Sequence, residues 1–91
     1  MPKLLTAKET LKLLKGLPGW KRTGKEISRL YTFSGFITAM AFVNHVASMA
    51  ESMDHHPDIL IQYKKVKLTV STHSAGGLTD LDFALAGKID A

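Results

Sequence analysis

Residues 36–53 constrain the fold more than any other stretch of this chain. Phe36, Met40, Val43, Ala47 and Ala50 recur at i, i+4, i+7, i+11 and i+14, and Phe42, Val46, Met49 and Met53 form a second stripe beside them. This spacing predicts a helix. Its polar remainder, Thr38, His45, Ser48 and Ser52, is narrow. A helix apolar over most of its circumference is buried on more than one side. The whole chain has only 91 residues, enough for one domain spanning 1–91, and a domain of that size buries only about two-thirds of its unfolded surface. The second side is therefore expected to meet another subunit, with Phe42 and Met49 on the docking face and a homodimer or homotetramer as the outcome.

The flanking segments predict the remaining elements. Thr6-Ala7-Lys8-Glu9 matches a capping box, and Leu11 and Leu14 supply an apolar face, so residues 6–15 read as a helix that Gly16, Pro18 and Gly19 end. Residues 20–23 and 26–33 flank Gly24-Lys25 as a hairpin. Pro57 stops the long helix, and His56, preceding proline, is pushed toward extended backbone. Residues 58–63 and 66–72 read as two more strands with a turn at Lys64-Lys65, since Val66, Leu68 and Val70 alternate with Lys67, Thr69 and Ser71. After Gly76-Gly77, Thr79 opens a last helix with Asp80 and Asp82 in its first turn, where the helix dipole favours acid. The order is αββαββα. It predicts an α+β fold: one four-stranded antiparallel sheet with helices packed on one face.

Charge and composition exclude several classes. The net +4 is an N-terminal property: residues 1–30 carry +6, residues 31–60 carry −3, and residues 61–91 carry +1. With only Trp20 and two arginines, Arg22 and Arg29, interleaved among the lysines, this reads as a solvated basic face, not a nucleic-acid surface. The longest uncharged run, Leu30 to Ala50, includes Tyr31, Asn44 and His45 and is too polar for a membrane span. Met1 to Lys12 lacks the apolar core of a signal peptide. Zero cysteines rule out disulfides, a thiol nucleophile and a zinc ribbon, and fit a reducing compartment. The expected location is the cytoplasm.

Histidine carries the chemistry. His55, His56 and His73 fall within 19 residues, and a two-residue turn at Lys64-Lys65 would set His56 opposite His73 at the open end of the hairpin. The long helix ends there, which brings Glu51 and Asp54 close, and the last helix starts nearby with Asp82. Imidazoles among carboxylates tune proton transfer near neutral pH. A metal site is disfavoured, because adjacent histidines diverge on regular backbone and neither HExxH nor CxxC occurs. A Ser-His-Asp triad lacks its nucleophile elbow. His45 reads as a member of the narrow polar strip. The alternative for the trio is that it merely caps a helix and decorates a loop.

Taken together, Glu51-x3-His55-His56-Pro57, five residues, Tyr63, nine residues, His73, eight residues, Asp82 resembles the signature of the pterin-4a-carbinolamine dehydratases. That family also includes the dimerisation cofactor of a hepatocyte homeodomain transcription factor. The stretches Ser71-Thr72-His73 and Gly77-Leu78-Thr79, and Trp20 ahead of the first strand, are similar too. The resemblance covers essentially the whole chain and implies the αββαββα fold reached above. It implies a hydro-lyase that removes water from 4a-hydroxytetrahydropterin to give quinonoid dihydropterin, regenerating the cofactor of aromatic amino acid hydroxylases. His55, His56 and His73 would surround the reacting edge, with Glu51, Pro57 and Asp82 as substrate-binding or supporting residues. The pterin is substrate, so no resident cofactor or metal is implied. A helical protein partner on the long helix is the alternative function the family carries.

Overall fold

Thr6 starts the first helix, α1 (Ala7–Leu14), through the expected capping box. Its hydroxyl accepts the Glu9 N–H at 3.1 Å, and the Glu9 carboxylate accepts the Thr6 N–H at 2.9 Å. Those hydrogen bonds, the main-chain one first, hold the Glu9 carboxyl below its ordinary 4.5. The computed structural model describes residues 2–91. After α1 come β1 (Lys21–Thr23), β2 (Glu26–Thr32), α2 (Phe36–Met53), β3 (Asp58–Gln62), β4 (Lys65–Val70), a 3₁₀ turn (His73–Ala75) and α3 (Asp80–Asp90). The strands form one antiparallel sheet in the order β1-β2-β4-β3. This is the expected α+β architecture. Among the described residues, no helix is long and apolar enough to cross a membrane.

The period-two patterns decide which sheet face is covered. Ile27, Val66, Leu68 and Val70 have no exposed surface. They meet Ala39, Val46 and Met49 of α2 and Phe83, Leu85, Ala86 and Ile89 of α3. The opposite sheet face holds Leu30 and Leu60, 55% and 51% exposed, aligned across Lys67. The core stripe of α2 is thus the second one read from the sequence, with Ala39 added. Phe42 packs against this core and Met49 lies within it. Met49 is therefore not on an outward face and Phe42 is only partly so; the large apolar side chains α2 leaves exposed are Phe36 and Ile37.

A further departure concerns the sheet. The turn between β3 and β4 is Tyr63-Lys64, not Lys64-Lys65, and Gln62 pairs with Lys65. Tyr63 takes a left-handed φ of 55° and leaves its ring exposed, while the Lys64 carbonyl accepts the Phe33 N–H from the neighbouring strand at 2.9 Å. Paired positions therefore add to 127, which on extension sets His55, not His56, opposite Thr72 and leaves His73 past the end of the ladder. On β2 the inward residues are only partly apolar. Arg29 and Tyr31 turn inward to reach Asp90 at the end of α3, at 2.8 and 2.5 Å, and Trp20 Nε1 donates to the same carboxylate at 2.8 Å.

Candidate active site

The long helix delivers the first two histidines. Asp54 terminates α2 in the left-handed conformation (φ 50°, ψ 41°), and its N–H reaches the Ala50 and Glu51 carbonyls. The His55 N–H then returns to the Ala50 carbonyl at 3.1 Å. This Schellman-type reversal turns the chain inward at His55, and Pro57 carries it extended into β3. His55 is 8% exposed. His56, by contrast, lies outside and meets Glu51, one turn back on α2, with Nε2 2.9 Å from the carboxylate.

The last helix supplies the partner of His55. Thr79 caps α3, and Asp82 at the third helical position returns its carboxylate to the Thr79 N–H at 2.9 Å. Asp82 has no exposed surface. Its Oδ1 lies 2.6 Å from His55 Nε2, and its Oδ2 also accepts the Thr72 hydroxyl at 2.9 Å. Thr72 and Thr79 Oγ atoms are 2.7 Å apart. A buried carboxylate is tolerated when donors surround it, and each donor here comes from a different junction: the end of α2, the strand exit after β4 and the cap of α3.

Of the residues picked from the sequence, the structure links His55 to Asp82 and His56 to Glu51. Pro57 is half-buried between them and β3. His73 is exposed on the 3₁₀ turn, one residue after Thr72, so it stands beside the buried network with no hydrogen bond to it. His45 is exposed on α2, as the polar-strip reading expects. Among the described residues, no three His, Cys, Asp or Glu side chains gather as a metal site does. Cavities lie elsewhere: one of about 500 Å³ on the open sheet face beside Leu30 and Lys67, one of about 160 Å³ between Leu5, Arg22 and Gly77, and one of about 280 Å³ between Leu5, Lys12 and Asp80. No histidine lines any of these three. His56 and His73 are exposed, while His55 is buried against the Asp82 carboxylate.

Thr72 and Thr79 were not picked as site residues from the sequence. The Thr79-x-x-Asp82 spacing is itself a cap signature, with Asp in place of the usual Glu, and that signal places Thr79. Thr72 lies in the Ser71-Thr72-His73 stretch that carries the resemblance, but no local structural signal marks its role.

Comparison with known proteins decides the family. The family model described as pterin 4 alpha carbinolamine dehydratase matches residues 3–91. The chain belongs to this family. A relative from Acidobacterium capsulatum, named for the same dehydratase, is 53% identical over 87 residues, covering 96% of this chain and 95% of its own. One from Sulfurisphaera tokodaii is 47% identical over 88 residues, covering 97% and 95%. The crystal structure of a transcriptional coactivator/pterin dehydratase from Brucella melitensis is similar with a TM-score of 0.91 at 38% identity, over 94% of each chain. A pterin dehydratase-like protein described as a RuBisCO assembly factor in the alpha-carboxysome shares the fold, with a TM-score of 0.67 at 23% identity over 79% of this chain and 86% of its own. The four-stranded sheet and three helices of this chain are thus those of a pterin-4a-carbinolamine dehydratase.

Proposed function

We propose that this chain eliminates water from 4a-hydroxytetrahydropterin to give quinonoid dihydropterin, using histidines as general acid and base. The carrying observation is the family match over residues 3–91, together with a histidine backed by a fully buried carboxylate, His55 on Asp82. Hydroxide leaves poorly, so an acid protonates the 4a-oxygen as its bond to C4a breaks. The N5 lone pair forms the new C4a=N5 bond, and the N5 hydrogen passes to a base. The balance is one water released, with no electrons gained or lost. The pterin is the substrate, and the steps as written call on no resident cofactor.

An imidazole serves either role near neutrality. His55 and His73 are the proton-transfer pair, while His56, held by Glu51, orients or polarises the substrate beside Pro57. Asp82 supports His55. Recycling the pterin cofactor of aromatic amino acid hydroxylases in the cytoplasm is the corresponding cellular role. Stopped-flow absorbance with the carbinolamine tests this reading. His55→Ala and His73→Ala should each lower turnover by about 10²–10⁴; unchanged turnover in both would remove the catalytic assignment.

A second role is favoured by the exposed Phe36 and Ile37 at the start of α2, 47% and 79% accessible. We propose that this end of α2 docks a second copy or a helical protein partner. Light scattering of Ile37→Asp against wild type tests it, and a wild-type monomer would dismiss self-association. Direct nucleic-acid or membrane contact forms no part of either role.

A further inference from the structure

We propose that Thr72 is a positioning residue, whose buried hydroxyl holds Asp82 so that His55 keeps its hydrogen on Nε2 and presents Nδ1 as the proton-accepting atom. This assigns the base within the dehydratase reading and rests on that reading for its catalytic meaning. The argument is a count of hydrogens. Asp82 Oδ2 receives the Thr79 N–H and the Thr72 O–H. Thr72 has a single hydroxyl hydrogen, so the 2.7 Å contact between the two threonines is Thr79 donating to Thr72. Thr79 Oγ1 in turn accepts the Leu81 N–H at 3.3 Å. The chain of donors therefore runs one way, from Thr79 through Thr72 to Asp82. Oδ2 is fully engaged, which leaves Oδ1 for His55. The hydrogen in that 2.6 Å contact belongs to Nε2, because imidazole is a stronger base than carboxylate.

The other ring nitrogen is left free. Among the described residues, no buried side-chain nitrogen or oxygen lacks a hydrogen-bond partner. Nδ1 of His55 has no protein partner, so it retains some accessible surface, and under the dehydratase reading this is the edge the substrate would approach. On accepting a proton there, the ring becomes an imidazolium stabilised by Asp82 on its far side, the logic of the carboxylate in a serine-protease triad.

Thr72 is placed for this task. It occupies the cap position of the 3₁₀ turn, yet its hydroxyl makes no capping hydrogen bond there. Its main chain is secured separately, by the Thr72 N–H to the Gly77 carbonyl at 2.9 Å and the Gly77 N–H to the Thr72 carbonyl at 3.3 Å. The next residue is His73. One position thus sets the tautomer of one imidazole through its side chain and carries the other on its backbone.

The test uses full-length protein with ¹⁵N-labelled histidine, comparing wild type, Thr72→Val and Thr72→Ser. Side-chain ¹H–¹⁵N spectra report the His55 tautomer without substrate, and stopped-flow measurements give kcat and KM. Wild type and Thr72→Ser should show the Nε2–H form alone. Thr72→Val, which keeps the shape and loses the hydroxyl, should mix tautomers and lower kcat about 10–100-fold, the usual cost of losing an outer partner, with KM little changed. A wild-type His55 protonated on Nδ1 overturns the proposal whatever the variants do. So does Thr72→Val with a wild-type tautomer, or Thr72→Ser without recovery. Spectra as expected in a protein that never turns over carbinolamine would uphold the tautomer assignment and sink the dehydratase reading instead.

Discussion

Tyr31 illustrates how one inward side chain ties ionisation to stability. Burial first, and then the Asp90 carboxylate that accepts its hydroxyl hydrogen, raise the phenol well above its ordinary 10.0, against a smaller opposing pull from Arg29. The folded state therefore favours the neutral phenol. Its contribution is complete below pH 10 and is lost as pH climbs from 10 toward the raised value. Tyr31→Phe should be less stable than wild type at pH 8, and the gap should narrow above pH 10. Urea midpoints across pH 8–11 check this, and a gap constant over that range would refute it. At this same scale the histidines, Glu51 and Asp82 were legible from residue type and spacing. Thr72 was not, because its role depends on where a hydroxyl points, and threonine in a strand exit has an ordinary structural reading.

At the scale of elements, the ends of α2 follow local rules and the hairpin register does not. Gly35 and Pro57 bracket a periodic run, and the helix spans the predicted Phe36–Met53. The reversal that delivers His55 places exposed Asp54 in the left-handed region at a helix C-terminus, where both a Cβ and a negative charge are unfavourable. Asp54→Gly should raise stability by roughly 1 kcal/mol, with Asp54→Asn recovering the electrostatic part. Chemical denaturation measures both, and destabilisation by either variant would count against the account. The β3–β4 turn was misplaced by one residue because tyrosine is a poor turn signal, whereas two lysines read as a polar loop. Either register keeps Ile59, Ile61, Val66 and Leu68 on the inner face, so alternation alone does not choose. The hydrogen bond from Phe33 to Lys64, made by a strand distant in sequence, is the interaction that distinguishes them.

For the whole molecule, Asp90 fastens the end of α3 to the sheet. Trp20, Arg29 and Tyr31 all donate to it, and Arg29 also stacks over the Tyr31 ring at 4.7 Å. A carboxylate at a helix C-terminus is otherwise unfavourable; here an arginine answers it. Asp90→Ala leaves the buried Trp20 N–H without its partner and should cost about 1–3 kcal/mol. Trp20 fluorescence during urea unfolding reads this directly, and an unchanged midpoint would show the clamp to be inert. The amino-acid sequence by itself determined the element order, the inner face of β4, the caps at Thr6 and Thr79 and the set of chemically competent side chains. These rest on periodicity and on contacts within four residues. Only the tertiary structure decided which stripe of α2 is core, how β3 registers on β4, and that His55, Thr72 and Asp82 share one buried network. The buried network joins residues 10 to 27 positions apart and the bond that sets the register joins Phe33 to Lys64; such closeness comes from packing rather than from any preference a local segment holds.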